Sequence, residues 1–255
     1  MDREREISGF TPQERFALEA MFITKNKESF RAQYKDKLKT NKQVTQLLEQ
    51  RAGKSFLVTD ITKQPGTKNP PAPFTTSSLQ QEASRRLGYS VSRTMQIAQR
   101  LYEAGLITYM RTDSVNLSKQ ALSAAAATIK KRFGDKYYQS RTFKTKSASA
   151  QEAHEAIRPT DLVKEWAGED DSQKKLYHLI RQRTLASQMA SAKIERTQIV
   201  LEPKGLKQTG VFIAKGEVVL FDGFLCLRRK DDEEEGEQGL PALIKGEVVD
   251  YTQIT

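Results

Sequence analysis

The sequence predicts an α+β protein of more than one domain, in which a mainly helical domain is inserted into a β domain. Strand-like patterns occupy residues 3–63 and 194–255, whereas the middle of the chain has helical patterns. A stretch rich in Pro and Gly separates the first two regions. At 255 residues the chain is long enough for more than one core. We expect domain limits of 1–71, 72–193 and 194–255.

The first region predicts a small β domain with one helix. Residues 16–23 and 30–38 have strand-like patterns, and a short polar helix is expected over 41–50. Residues 55–62 alternate well enough for another strand. The following segment, 63–73, contains four prolines and a glycine, which is typical of a linker or a crossing between domains.

The middle of the chain opens with two short helices. Ser and Thr residues at 75–78 offer N-caps for a helix that ends near Leu87, and Gly88 is a natural stop. A second helix is expected from Ser90 or Ser92 to Gly105, before a strand over 106–111. Two helices, a glycine turn and a strand outline a winged helix-turn-helix of the CAP-like kind.

The rest of the chain predicts two more helices and then a return to strands. Ser118 caps an Ala-rich helix that ends near Phe133, and a polar stretch follows over 141–151. A long helix is expected over 172–192. The strands predicted after it are 197–202, 209–214, 217–221, 224–229 and 247–252.

Composition excludes several classes of protein. Hydrophobic residues make up 37% and charged residues 29%, as in ordinary globular proteins. No apolar run approaches the ~18 residues that a membrane helix needs, and the charged N-terminus is not a secretory leader. Cys226 is the only cysteine, so neither an intrachain disulfide nor a Cys-rich zinc site is possible. We expect a reducing, cytoplasmic setting.

The positive charge is concentrated in the middle of the chain. Of the net charge of +10, residues 72–200 carry +9. This distribution favours a polyanionic partner such as nucleic acid, although a solvated basic surface would give the same count. Four arginines decorate the two capped helices, as phosphate contacts or as solvated helix faces: Arg85, Arg86, Arg93 and Arg100.

The most chemically suggestive segment is the octet Ile107–Ser114. It sets Tyr109, Arg111 and Asp113 at alternating positions, so all three side chains leave one face if the segment is extended. A cation beside a phenol favours the phenolate, and a guanidinium can also clamp a phosphate for attack. A half-buried tyrosine paired with a surface arginine is the structural alternative.

A second motif surrounds His154. The histidine could orient or protonate a phosphate oxygen, and Arg158 beside Pro159 could clamp a phosphate or lie on the surface. The other histidine, His178, is distant in sequence, so a metal site with two histidines is not expected. The acidic run Asp231–Glu235 is interpreted as a solvated loop, and no P-loop pattern indicates ATP binding.

These motifs together resemble the type IA DNA topoisomerases, in particular their bacterial topoisomerase I branch. Besides the octet, the matching segments are 73–81, 94–105, 153–160, 4–7, 223–225 and 240–246. Several long motifs in the same order extend the resemblance over most of the chain. Met110, where related subfamilies often carry Pro, favours bacterial topoisomerase I over topoisomerase III.

The resemblance implies a role for each residue of the motifs. Tyr109 is the expected nucleophile that opens one DNA strand through a 5′-phosphotyrosine link, and Arg111 stabilises the scissile phosphate. His154 supports catalysis or DNA engagement, and Asp113 orients neighbouring groups, His154 included. The further residues expected to bind DNA are Arg158, Arg93, Arg100 and Thr112. Relaxation of negatively supercoiled DNA would follow from strand passage, without ATP.

The resemblance also implies that the chain is a fragment: the β-strand arch domain and the inserted tyrosine domain. The family's metal-binding Toprim motif is not found in this sequence, so we expect no cofactor here and Mg²⁺ only in the full-length enzyme. The expected partners are DNA and the Toprim and base domains of the same enzyme, with no membrane and a monomeric state. The isolated chain is expected to be inactive.

Alternative functions remain open at this point. The chain could be a non-enzymatic winged-helix module that binds DNA, with Tyr109 merely structural. It could also be a structural hinge without DNA affinity, or part of a topoisomerase III-like enzyme of the same family. A covalent adduct between tyrosine and DNA separates the enzymatic from the non-enzymatic alternatives.

Overall fold

The fold was examined in a computed structural model that describes residues 2–10, 15–143, 154–205, 210–227 and 239–255. The expected polar stretch at 141–151 lies mostly outside these residues, and the acidic run at 231–235 lies wholly outside them. The chain divides into two compact units. The first comprises 1–66, 194–219 and 233–255, and the second comprises 67–193 and 220–232. Our domain limits of 1–71, 72–193 and 194–255 remain a proposal.

The strands form a closed antiparallel barrel. They are β1 (Glu19–Ile23), β2 (Ser29–Tyr34), β3 (Phe56–Lys68), β4 (Ala192–Pro203), β5 (Phe212–Phe221) and β6 (Val248–Ile254). Their order around the barrel is β1-β2-β5-β4-β3-β6. The last strand closes the barrel by pairing with the first, with Met21 opposite Gln253.

Phenylalanine fills the barrel. Phe22 is fully buried and contacts Phe30, Phe56 and Phe212, with ring centroids 5.0 to 5.7 Å apart. These residues come from β1, β2, β3 and β5, so the inward positions of four strands meet at one ring. Alternation of buried and exposed residues along β2 reflects the same inward and outward pattern. Burial of aromatic area therefore holds the closed sheet together.

Six helices accompany the barrel in the described residues. They are α1 (Asp2–Ser8), α2 (Asn41–Arg51), α3 (Thr76–Leu87), α4 (Val91–Glu103), α5 (Lys119–Phe133) and α6 (Asp171–Ser187). Thr75, Ser90 and Ser118 cap α3, α4 and α5 through side-chain bonds to backbone N–H groups. Gly88 ends α3 in the left-handed conformation, with φ of 67°. The predicted caps are thus confirmed. No helix of the described residues is long and apolar enough to cross a membrane.

The predicted fold class is wrong in two respects. The strands close into a barrel instead of forming an open arch, and the helical part is not a winged-helix domain. The predicted strand over 106–111 has only an isolated bridge, between Ile107 and Pro159. Backbone groups of this segment bond instead to the Thr76 hydroxyl, the Arg158 carbonyl and the Thr160 N–H, so no ladder of a wing forms.

Three predicted element limits also differ from the structure. β3 continues to Lys68 through the expected linker, because Gly66 lets the strand pass close to Ile194. A Cβ at Gly66 would lie 2.9 Å from the Ile194 side chain. α6 ends at Ser187, five residues before the predicted end. The described part of the predicted strand at 224–229 belongs to a short 3₁₀ helix over Gly223–Leu227.

The second unit contains the core that supports the tyrosine motif. Buried residues from α3, α4 and α6 pack together with Ile107, Met110 and Ile157, which come from the two chemical motifs. The helical contributors to this cluster include Leu79, Ala83, Ile97, Leu101, Leu176 and Ile180. The motifs are therefore anchored by apolar side chains that alternate with their polar ones.

Candidate active site and nucleic-acid interface

The Tyr109 segment alternates between exposed and buried residues. Met110 and Ser114 are 0% and 2% exposed, whereas Tyr109 is 43% exposed. Arg111 and Asp113 are also exposed. Burial thus follows the alternation expected for an extended segment, and the phenol, the guanidinium and the carboxylate are all presented to solvent.

Thr76, the first residue of α3, holds this segment from one side. Its hydroxyl lies 2.8 Å from the carbonyl oxygen of Met110 and 3.0 Å from that of Thr112. The same hydroxyl accepts the N–H of Thr112 at 2.9 Å, and the N–H of Thr76 donates to the Thr112 carbonyl. The start of a capped helix is therefore tied to the backbone on both sides of Arg111.

The His154 motif holds the segment from the other side. Thr108 donates its hydroxyl to the Ala156 carbonyl at 2.7 Å and its N–H to the Arg158 carbonyl at 2.9 Å. The N–H of Arg158 returns a bond to the Thr108 hydroxyl. Antiparallel bridges link Ile157 to Phe74 and Pro159 to Ile107. The structure therefore brings together two motifs that lie about fifty residues apart.

Arg111 and Asp113 are available to a ligand. Within the part of the chain that the structure describes, neither side chain has a hydrogen bond or an ion pair to another group. His154 is likewise exposed, at the start of the segment that pairs with Thr108. An exposed arginine without an internal partner can neutralise a phosphate without losing a bond that it makes in the protein.

Arg158 differs, because its guanidinium is already engaged. Its Nε and Nη2 donate to the two carboxylate oxygens of Glu155 at 3.1 and 2.8 Å, and Nη1 donates to the Pro159 carbonyl. Glu155 also accepts the N–H of Ser118, the N-cap of α5, at 2.6 Å. This arrangement joins the His154 motif to the start of α5, and the Arg158 side chain is only 14% exposed.

The charge of Glu155 is stabilised in the fold. Burial raises the pKa of its carboxyl, but hydrogen bonds from Arg158 and Ser118 outweigh burial and leave the pKa below its ordinary value. A depressed carboxyl pKa contributes stability that is present above the unfolded-state pKa of ~4.3 and is lost as pH falls through the folded-state pKa.

We predict that Glu155→Gln lowers the free energy of unfolding by about 1–3 kcal/mol at pH 7, since Arg158 would lose its charged partner. Denaturant unfolding of both proteins between pH 3 and 7 measures this. The difference should shrink as pH falls below the unfolded-state pKa of ~4.3 and the lowered pKa of the folded wild-type carboxyl is approached. Glu165→Gln is the control, because its ion pair with Arg132 is about 40% exposed and worth under ~1 kcal/mol. A constant difference across this pH range would contradict the assignment.

The other residues expected to bind DNA lie in different settings. Arg93 donates to the Ser172 hydroxyl at 3.0 Å and lies over the Tyr89 ring at 4.4 Å. Arg100 is exposed and lies 4.0 Å from the Asp170 carboxylate, which is a weak contact. Thr112 is buried, and its hydroxyl accepts the N–H of Ser114. Thr112 thus supports the segment, and Arg93 is held by two contacts whereas Arg100 has one weak ion pair among the described residues.

Sequence reasoning missed three residues that build the site. Thr76 entered only as one of several candidate caps, and Thr108 was read as part of a motif without a role. Tyr102 lies within the predicted second helix and was given no role, yet its exposed ring contacts the ring of Tyr109. The available signal for Thr108 was a hydroxyl directly before the candidate nucleophile Tyr109. The partner of that hydroxyl could not be deduced from spacing.

The described residues do not form a metal site. They contain no group of three or more His, Cys, Asp and Glu side chains that could hold a metal ion. Among the described residues, Asp113 belongs to no such group, and both oxygens of Glu155 are engaged by Arg158 and Ser118. The described residues therefore do not fit Mg²⁺.

Known proteins match the whole chain. The family model for DNA topoisomerase matches residues 1–255. DNA topoisomerase 1 of Zymomonas mobilis is 44% identical over an alignment of 267 positions, which covers 97% of this chain and 22% of the relative. The structure of full-length topoisomerase I from Thermotoga maritima matches with a TM-score of 0.71 and 34% identity, over 100% of this chain and 43% of that one.

The exposed tyrosine beside an exposed arginine thus lies in a chain whose relatives are DNA topoisomerases. The chain belongs to the DNA topoisomerase family, in its type IA branch, as the sequence motifs predicted. It spans about a fifth of the length of the curated relative and less than half of the Thermotoga chain.

Proposed function

We propose that this chain is the nucleophile-bearing part of a type IA topoisomerase that relaxes negatively supercoiled DNA. The observation that carries the proposal is the exposed Tyr109 phenol beside Arg111, on a segment held from both sides by Thr76 and Thr108. Family membership supports the same activity, since the relatives are topoisomerases. The proposed substrate, bacterial chromosomal DNA, agrees with a cytoplasmic location.

In the proposed reaction the Tyr109 oxygen attacks the phosphorus of one DNA strand. A bond forms between the phenolic oxygen and phosphorus, and the bond from phosphorus to the 3′ oxygen breaks. The phenolic proton is lost and the 3′ oxygen gains a proton, with His154 as the proposed carrier. The DNA 5′ end is then linked to tyrosine. Attack by the 3′ hydroxyl reverses each step, so the phosphodiester is conserved and no ATP is consumed.

Arg111 and Asp113 take the remaining roles in this proposal. The Arg111 guanidinium binds the phosphate and neutralises the charge that develops in the transition state. Asp113, on the same exposed side, orients neighbouring groups. Arg158, Arg93 and Arg100 contribute contacts to the DNA backbone. Mg²⁺ is proposed for the intact enzyme, held by carboxylates other than those described.

The decisive experiment traps the covalent intermediate. The intact enzyme, with this segment in place, is mixed with a single-stranded oligonucleotide labelled at its 3′ end and then denatured. We expect labelled DNA to stay attached to the protein, and peptide mass spectrometry to place it on Tyr109. A label that follows the protein only when it is placed at the 5′ end would contradict the 5′-phosphotyrosine link. DNA binding without any adduct would favour a non-enzymatic module.

We predict that the 255-residue chain alone does not relax supercoiled plasmid, with or without Mg²⁺. The reason is that the described residues provide the phenol and a cation but no metal site. Gel electrophoresis of plasmid topoisomers measures this, with the intact enzyme as the positive control. If the chain alone relaxed plasmid and required Mg²⁺ to do so, the proposal that the metal site lies in another part of the enzyme would be wrong.

A further inference from the structure

The ring of Tyr102 contacts the ring of Tyr109. The ring centroids are 5.2 Å apart and the ring planes meet at 65°, which is an edge-to-face arrangement. Such pairs are favourable because the positive edge of one ring faces the negative face of the other. Tyr102 is 41% exposed and Tyr109 is 43% exposed, so the pair lies at the protein surface.

The backbone between the two tyrosines brings them into contact. Tyr102 lies in the last turn of α4, and Gly105 follows it with φ of 69°. In this left-handed conformation the N–H of Gly105 bonds to the Tyr102 carbonyl, and the N–H of Leu106 bonds to Leu101. The chain therefore reverses directly after the helix and returns past Tyr102 when it reaches Tyr109.

The two rings differ in how firmly they are held. Tyr102 belongs to a regular helix whose neighbouring residue Leu101 is fully buried. In the part of the chain that the structure describes, the Tyr109 side chain has no hydrogen bond, and Tyr102 provides its ring contact. The nucleophile is thus restrained through a ring that is itself anchored to the core.

We propose that Tyr102 is a positioning residue for strand cleavage. This inference rests on the proposed role of Tyr109 as the nucleophile. The Tyr102 ring restricts the rotation of the Tyr109 side chain and keeps its oxygen directed away from α4, where a phosphate beside Arg111 can be reached. Limiting the orientations of a reacting group before attack raises the rate of the chemical step.

The proposal assigns the effect to the aromatic ring and not to the hydroxyl. Among the described residues, the Tyr102 hydroxyl has no hydrogen-bond partner, so Phe at this position keeps the contact. Leu keeps apolar bulk and suits a helix, but it lacks the edge-to-face geometry. These two substitutions therefore separate positioning from general support of the helix.

The test measures single-turnover cleavage of an oligonucleotide by the intact enzyme, together with the Kd for the same DNA. We expect Tyr102→Ala and Tyr102→Leu to slow cleavage about three- to tenfold, with Kd unchanged within about twofold. Tyr102→Phe should cleave at the wild-type rate. Trp166→Ala is the matched control, since it removes a surface aromatic that belongs to neither motif and stacks on His178, with centroids 3.9 Å apart.

Thermal unfolding of each variant separates positioning from folding. A wild-type rate in Tyr102→Leu overturns the proposal, and so does slower cleavage that is matched by weaker DNA binding. If Tyr102→Ala lowers Tm, the comparison between Tyr102→Leu and Tyr102→Phe still decides. Tyr109→Phe is run in parallel: adducts that survive this substitution reject Tyr109 as the nucleophile. If Tyr109→Phe forms no adduct and Tyr102→Leu cleaves at the wild-type rate, only the positioning role of Tyr102 is rejected. Tyr109 then remains the proposed nucleophile.

Discussion

Replacing Tyr109 by Phe in the intact enzyme is expected to abolish the covalent adduct and DNA relaxation, a loss of at least about 10⁴-fold. The substitution removes only the phenolic oxygen, which is the proposed nucleophile. The ring is retained, so the contact with Tyr102 and the buried neighbours Met110 and Thr112 are unaffected. Adduct yield after denaturation and plasmid relaxation measure the effect.

The matched control for this prediction is Tyr102→Phe. It removes a phenolic oxygen from an equally exposed tyrosine whose ring touches the first, and it should keep full activity. DNA affinity of Tyr109→Phe should stay within about threefold of wild type, because the lost atom acts in the chemical step. Persistent adducts in Tyr109→Phe would show that another residue attacks the DNA.

Arg111→Ala should lower the rate of cleavage by about 10²–10³, the usual effect of removing one group that stabilises a transition-state charge. Arg111→Lys should recover only part of this rate, because an ammonium lacks the planar fork that binds two phosphate oxygens. Stability should change by less than ~0.5 kcal/mol, since the Arg111 side chain is exposed and has no partner among the described residues. Single-turnover cleavage and Tm are the two measurements.

Arg100→Ala is the appropriate comparison for Arg111→Ala. Arg100 is an exposed arginine of the same unit, and among the described residues its one ion pair is long, at 4.0 Å. Its loss should weaken DNA binding modestly and reduce the salt dependence of binding, with the rate of cleavage at saturating DNA unchanged. Equal losses in the cleavage rate for both variants would remove Arg111 from the chemical step.

The site shows which inferences could be drawn from sequence. The caps at Thr75, Ser90 and Ser118 and the glycine stop at Gly88 were predicted, because each depends on residues within one helical turn. The exposure of Tyr109, Arg111 and Asp113, which occupy alternating positions, was likewise expected from their spacing. Membership of the topoisomerase family followed from ordered motifs and is confirmed.

The contacts that complete the site were not predictable in this way. Thr108 reaches partners 48 and 50 residues away, and Thr76 reaches a partner 36 residues away. Periodicity indicates which face of a segment is buried, but it does not say which distant segment covers that face. Spacing alone therefore does not distinguish the hydroxyls of Thr108 and Thr76 from those of other threonines in a helix or a strand.

Local chemistry in the chain was sufficient to predict the N-caps of α3, α4 and α5, the exposed side chains of Tyr109, Arg111 and Asp113, and the family to which the chain belongs. Closure of the barrel, the continuation of β3 past Gly66, and the placement of the His154 motif against Thr108 emerged only in three dimensions. Caps and turns depend on neighbouring residues, whereas β1 meets β6 across more than two hundred residues. Long-range pairing is selected by the packing of the whole core, which no single segment encodes.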